Sequence, residues 1–412
     1  MIDLKSKLSR LQGQSGRRQS AIQPLSAGSE LRRRLDSIRL DRLSPPPQID
    51  AKTTDETLAQ RLKGYLIADG VIRIEQRLSL DGRLGRHPLK LLRNASQLPG
   101  EGREAHLRQV YIDTETTGLS GGSGTLAFLI GIAVVERDAL VVTQYLITRF
   151  AGEPGMLTAF ARTLTSDDRL VSYNGKSFDL PLMITRYRMQ GLSHPFDGKL
   201  HLDLLHTVRR LFNRRWPDCR LATLEQRLLG FKRRNDLPGS EAPAAWTDYV
   251  RQGRAEKLVL VVEHNRQDIV SLALAHTALS QAIAAPESHG VDIVALARWI
   301  SRHDETKAYT MLKAAAQPLD DRGKRLLGHL ARRAGDWWRA LPLWEELATR
   351  GCEDSMEQLA KYHEHISRDF DVASRYCKQL KPGMKQSRRL QRIEEKRYRQ
   401  MLQPAMDHFI DR

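Results

Sequence analysis

The sequence predicts an α/β fold, a mixed sheet flanked by helices, followed by an all-α region of helical repeats. Three observations lead there. Between about residues 106 and 282, apolar runs of strand length alternate with helix-period segments. The second and third runs are joined by the polar Glu136-Arg137-Asp138, and with the first they read as an antiparallel meander. Past residue 290 the strand pattern stops, and a helical motif recurs at an offset of 33 residues.

The elements follow in chain order. Residues 1–50 read as a basic tail: Lys5, Lys7, Arg10, Arg17 and Arg18 lie among Ser, Gln and Gly, and Pro45-Pro46-Pro47 closes it. Residues 51–105 read as a lead-in in which Gly64-Tyr65-Leu66-Ile67 and Val71-Ile72-Arg73-Ile74 flank Ala68-Asp69-Gly70 as a β-hairpin. The central domain, 106–285, opens on the strand Val110-Tyr111-Ile112 and continues with strands from Leu126 to Val135 and from Leu140 to Ile147. A helix near 154–164 precedes the strand Leu170-Val171-Ser172-Tyr173, and a helix follows from Ser177, read as its N-cap, to Gln190. Further helices fit 203–213, 221–230, 241–252 and 255–282.

Over 290–381, Gly335-Asp336-Trp337-Trp338-Arg339-Ala340 aligns with Arg368-Asp369-Phe370-Asp371-Val372-Ala373. That spacing is what stacked helical hairpins of tetratricopeptide type require. Such a region either docks a protein partner or caps the domain before it. Residues 382–412 read as a basic helical tail.

Composition narrows the partners. A chain of 412 residues allows two or three domains. Its net charge of +17 favours polyanionic partners, either nucleic acid or an anionic membrane surface, unless the excess only aids solubility. Cys219, Cys352 and Cys377 are too scattered for a disulfide framework or a cysteine zinc site, which fits a reducing cytoplasm. The longest apolar run falls well short of the roughly 20 residues a spanning helix needs, and no signal-peptide core follows the N-terminal charges. No membrane association is expected.

Carboxylates carry the chemistry. Asp113-Thr114-Glu115 ends the strand Val110-Tyr111-Ile112, and residues two apart on a strand share a face. Two carboxylates held there repel, and are comfortable only with a cation between them. Asp179 closes Ser172-Tyr173-Asn174-Gly175-Lys176-Ser177-Phe178-Asp179 at a strand-to-helix junction. His264 and Asp268 stand four apart on a long helix and project together. Gly175-Lys176-Ser177 is no phosphate-binding P-loop, because position 170 is Leu170 where that motif needs glycine.

The order D-x-E, N-x-x-x-F-D, H-x-x-x-D resembles the DEDD exonuclease superfamily of the ribonuclease H-like fold. Asp113 to Gly122, Ser172 to Asp179 and Asp236 to Pro243 are similar to the motifs of bacterial YprB-like proteins within it. The last motif departs from the pattern, pairing the spacing of the tyrosine subgroup with the histidine of the other. The resemblance implies 3′–5′ hydrolysis of DNA or RNA with two divalent cations, Mg²⁺ or Mn²⁺. Asp113, Glu115, Asp179 and Asp268 would be the ligands and His264 a general base. Asn174, Thr116 and Phe178 would contact substrate. Grip would come from basic segments such as Arg209-Arg210, Lys232-Arg233-Arg234 and Lys385 to Arg399. Two other readings stand beside this one: an internal cutter, and a catalytically weak scaffold whose repeats dock a protein.

Overall fold

The computed structural model describes residues 53–94, 97–118, 124–233 and 236–410. The basic tail expected over 1–50 lies outside them, as do Leu119 to Ser123 after the D-x-E motif, and Arg234. Seven strands form one mixed sheet, in the spatial order Gly64–Ala68, Val71–Ser79, Ala139–Ile147, Ala127–Val135, Arg108–Thr116, Asp168–Ser172 and His201–Asp203. The hairpin β1 (Gly64–Ala68) and β2 (Val71–Ser79) turns at Gly70, whose φ of 67° suits glycine. A separate two-stranded hairpin joins β3 (Arg83–Leu84) to β4 (His87–Pro88). The expected meander is β5 (Arg108–Thr116), β6 (Ala127–Val135) and β7 (Ala139–Ile147). β2 pairs with β7 from Val71 opposite Ile147 to Ser79 opposite Ala139, so the leading hairpin extends the same sheet. On the other side β5 pairs in parallel with β8 (Asp168–Ser172), and β8 with β9 (His201–Asp203).

Helices cover both faces. Ile112 packs in a cluster with Phe128, Met183 and Trp246, while its neighbour Tyr111 packs with Val171, Val208 and Leu272. Adjacent residues on one strand thus serve opposite faces, which is why the strands read as continuous apolar runs. The helices of this domain are α1 (Asp55–Arg61), α2 (Glu153–Ala161), α3 (Asp179–Met189), α4 (Leu204–Phe212), α5 (Leu221–Leu224), α6 (Ala242–Gln252) and α7 (Glu256–Ala284). α5 runs into a π-helical turn, Glu225–Leu229, where a single α-helix over 221–230 was expected. α3 starts at Asp179 rather than Ser177, and no side chain caps it.

The helical region comprises α8 (Ile293–Ile300), α9 (Glu305–Lys313), α10 (Asp321–Arg333), α11 (Trp337–Thr349), α12 (Glu353–His365), α13 (Phe370–Lys378) and α14 (Met384–Ile410). Each packs on the next. Asp304, Asp336 and Asp369 cap α9, α11 and α13 by accepting from the amide three residues on. Ala308, Ala340 and Ala373, each four residues past its cap, are fully buried where helices cross. Gly335 and Arg368, aligned in the sequence, both have positive φ, 74° and 56°, reversing the chain before the cap.

Candidate active site

Asp113 and Glu115 project from the end of β5 toward α7, while Thr114 between them faces the opposite side and donates to Asp179 Oδ1 at 2.5 Å. Asp179 opens α3. Asp268 lies midway along α7 and is 17% exposed at its side chain. Burial, then the charges of Asp268, Asp179 and Glu115, hold the Asp113 carboxyl well above its usual range. Glu115 is pushed up to about 8 by burial and by Asp268 and Asp179. Burial also raises Asp179, against the pull of the Thr114 hydroxyl. The four predicted carboxylates therefore share one electrostatic neighbourhood.

Residues that the sequence reading passed over hold them. Asn265, fully buried on α7, donates from Nδ2 to Asp113 Oδ2 at 2.8 Å. Its carbonyl accepts from Gln144 Nε2 at 2.8 Å, and the same Gln144 amide donates to Val262 O. Gln144 reaches across because Gly131 stands between it and Asp113 in the sheet register. A Cβ on Gly131 would lie 2.2 Å from Asn265 Oδ1 and 2.1 Å from Ile269 Cδ1. Asp203, buried at the end of β9, accepts from the Asn174 amide at 2.8 Å and the Lys176 amide at 3.1 Å, fixing the loop before Asp179. A lone buried Asp closing a three-residue strand left no sequence signal beyond a capping position.

The other predicted residues divide. His264 Nδ1 pairs with Asp236 Oδ1 at 2.7 Å and its Nε2 lies 3.5 Å from Asp268 Oδ2, so it adjoins the cluster with its ring oriented. Asn174 holds a φ of 72°, the left-handed turn Asn tolerates. The Thr116 hydroxyl donates to Gly118 O at 2.9 Å, within its own loop. Phe178 is 56% exposed beside the cluster's Asp179. Arg233, expected within a basic segment that grips substrate, is instead largely buried, its side chain 12% exposed. It grips Glu225 through two bonds of 2.8 Å and also reaches Asp268 and Asp236. Glu225 is itself buried, so its charge required a cation within reach.

Hard carboxylate oxygens suit Mg²⁺ or Mn²⁺. The charge beside Asp268 is met in this conformation by the Arg233 guanidinium, and among the described residues no group of three or more acidic, His or Cys side chains is gathered closely enough to hold an ion as it stands.

Residues 110–280 match the family model described as the RNase_H superfamily. The chain is 33% identical over 282 residues to the uncharacterized protein YprB of Bacillus subtilis (strain 168), covering 65% of this chain and 68% of that one. The chain belongs to the ribonuclease H superfamily. The chain is also 24% identical over 177 residues to a DNA polymerase of Pyrococcus glycovorans, over 36% of this chain and 22% of that one. Among solved structures, the family B DNA polymerase of Pyrobaculum calidifontis overlays with a TM-score of 0.33 at 13% identity, over 74% of this chain and 39% of that one. A product-bound exonuclease I does so with 0.26 at 12%, over 66% of this chain and 98% of that one. Membership in the superfamily supports a nuclease-like function, which implies a nucleic-acid ligand. Among the described residues no helix is long and apolar enough to cross a membrane.

Proposed function

We propose that the chain is a metal-dependent nuclease that hydrolyses phosphodiester bonds of DNA or RNA from the 3′ end. One observation supports this above the others: Asp113, Glu115 and Asp179 sit together, Glu115 buried and the other two half-buried, although Asp268 and Asp179 raise the cost of ionising Asp113 and Glu115. Carboxylates crowded together without a countercharge are a standing cost that a cation would relieve. Asp113, Glu115 and Asp268 would hold one divalent ion, Asp113 and Asp179 a second. When bound, such ions supply an activated water and stabilise charge on the leaving oxygen. The chain's own part is to orient. Asn265 fixes the rotamer of Asp113, Thr114 fixes Asp179, and Asp236 fixes the His264 ring, leaving Nε2 toward Asp268 to accept a proton from water.

End-labelled DNA and RNA oligonucleotides incubated with Mg²⁺ or Mn²⁺ test the proposal. A ladder shortening from the 3′ end, abolished in Asp113→Ala, is expected. A single internal cut would replace the exonuclease reading with an endonuclease one. A second reading, a catalytically weak scaffold, draws on the Arg233–Asp268 ion pair, which occupies a ligand of the proposed centre. Absence of any cleavage, with both ions and both nucleic acids, favours it.

A further inference from the structure

A second concave surface lies in the helical region. Arg332 of α10, Trp337 of α11, Lys361 and Tyr362 of α12, and Arg389 and Arg392 of α14 line a cavity of about 570 Å³. Its floor is organised by Glu364, whose side chain is wholly buried. Arg392 bonds that carboxylate at 2.5 Å, Lys396 at 2.9 Å and Arg389 at 3.1 Å. Burial opposes its charge, yet the bonds from Arg392 and Lys396 pull the Glu364 carboxyl down to about 2. One carboxylate thus fixes three cations of α14, and their ordering cost is met in folding rather than in binding.

Positive charge remains in excess. Glu357 and Glu364 face Lys361, Arg389, Arg392 and Lys396, while Arg332 makes no ion pair among the described residues. Beside the cations, the half-buried rings of Trp337 and Tyr362 meet with centroids 5.0 Å apart, tilted by 45°. Ile366 extends this apolar wall and is 53% exposed. Fixed cations along one side and aromatic surface along the other suit a polyanion with flat apolar units. An acidic peptide would satisfy the cations and leave the rings unused. A duplex keeps its bases stacked inside.

We propose that this groove binds single-stranded nucleic acid, phosphates against Arg332, Lys361 and Arg392 and bases against Tyr362 and Trp337. The proposal concerns binding and does not rest on cleavage at the carboxylate cluster.

The test is fluorescence anisotropy of the full chain with a labelled oligothymidylate and an oligouridylate, in EDTA so that no divalent ion contributes, across a range of salt. The competitors are a hairpin duplex and a polyglutamate peptide. Arg332→Gln with Lys361→Gln should weaken single-strand binding about tenfold and reduce the salt slope by roughly 1.4, the share of two phosphates. Tyr362→Leu, which keeps apolar bulk, should also cost about tenfold through lost stacking. These three positions are exposed or half-buried, and an unchanged melting temperature checks that each variant folds. Unchanged affinity and slope in the folded variants overturn the proposal. So does polyglutamate or duplex binding that matches the single strand and is lost in the same variants. Because cleavage is read separately with Mn²⁺, failure here leaves the nuclease reading standing, and the reverse.

Discussion

Asn265 is the point at which the sheet and the long helix agree on the direction of Asp113. Its amide gives one proton to Asp113, and its carbonyl takes one from Gln144. Asn265→Leu conserves bulk and breaks both bonds, leaving the half-buried Asp113 carboxylate without its donor. A loss of about 1–3 kcal/mol is expected in urea or thermal denaturation; a change within experimental error would show that the relay carries no strain-free order. The carboxylates also set a pH dependence. Glu115 titrates near 4.3 in an unfolded chain and at about 8 in the folded one. Between those values the native state keeps a proton that the unfolded chain has released. Stability in EDTA should therefore fall as pH rises across that window, with Asp113 and Asp179 acting in the same direction. Mn²⁺ should flatten the decline by favouring the ionised forms, and Glu115→Gln should lessen it without metal. Melting temperatures from pH 5 to 8, with and without Mn²⁺, decide the matter; an identical profile in Glu115→Gln removes Glu115 from the argument. At this scale the D-x-E pair was legible because strand alternation is a local rule. Asn265, Asp203 and Gly131 were not, because what they touch is set by the register of distant strands.

Elements bring those residues to one another through close approach. α7 lies against β5, β6 and β7, and Gly131 is the place where its side chains press into the sheet. Gly131→Ala puts a methyl group into Asn265 and Ile269, both backed by packed neighbours. Overpacking of this kind costs about 1–3 kcal/mol, and α7 must shift, carrying Asp268 with it. The expected outcome is a lower melting temperature together with a smaller thermal shift from Mn²⁺ than in the unaltered chain; a normal Mn²⁺ shift would mean that the helix accommodates the methyl without moving Asp268. Arg233 ties the π-helical turn to the same helix. Arg233→Met should destabilise the fold by about 3–5 kcal/mol, since it strands Glu225 without a cation. It should also enlarge the Mn²⁺-induced thermal shift, because Asp268 loses a competitor. The sequence showed the hairpin of β1 and β2 through its turn residues. Its pairing with β7 was hidden, since a strand's partner across some seventy residues leaves no local mark. The π-turn at Glu225–Leu229 was equally invisible, because its apolar spacing matches an ordinary helix over so short a span.

The molecule as a whole grades from one shared core to a stack of nearest-neighbour contacts. One cluster runs without interruption from Tyr111 and Val171 in the sheet, through Leu272 and Leu279 of α7, into Leu296, Ile300, Leu312 and Leu330 of the helical region. The Asp292 amide donates to Leu211 O at 2.9 Å, adding a backbone link across that joint. Helices α8 to α10 are thus bonded to the nuclease-like domain by its own core and should open with it. Beyond them the packing breaks into two small clusters, one around Trp344 and Leu359, the other around Phe370, Cys377 and Ile393. In a linear array each unit is stabilised only by its neighbours, and the last has one. Local opening should therefore become easier along the chain, because its free energy follows the apolar contacts a segment must break. Hydrogen exchange read by mass spectrometry should find amides of β5, β6 and α7 slowest and those of α8 to α10 close behind. α11 and α12 should be intermediate, with α13 and α14 fastest. Uniform protection across α8 to α14 would contradict this, since it would require the helical region to open as one body. The gradient also bears on the groove: α14 supplies two of its cations, Arg389 and Arg392, and is the last helix of the array, so a bound single strand, pinning α14 to α12, should slow exchange there more than anywhere else.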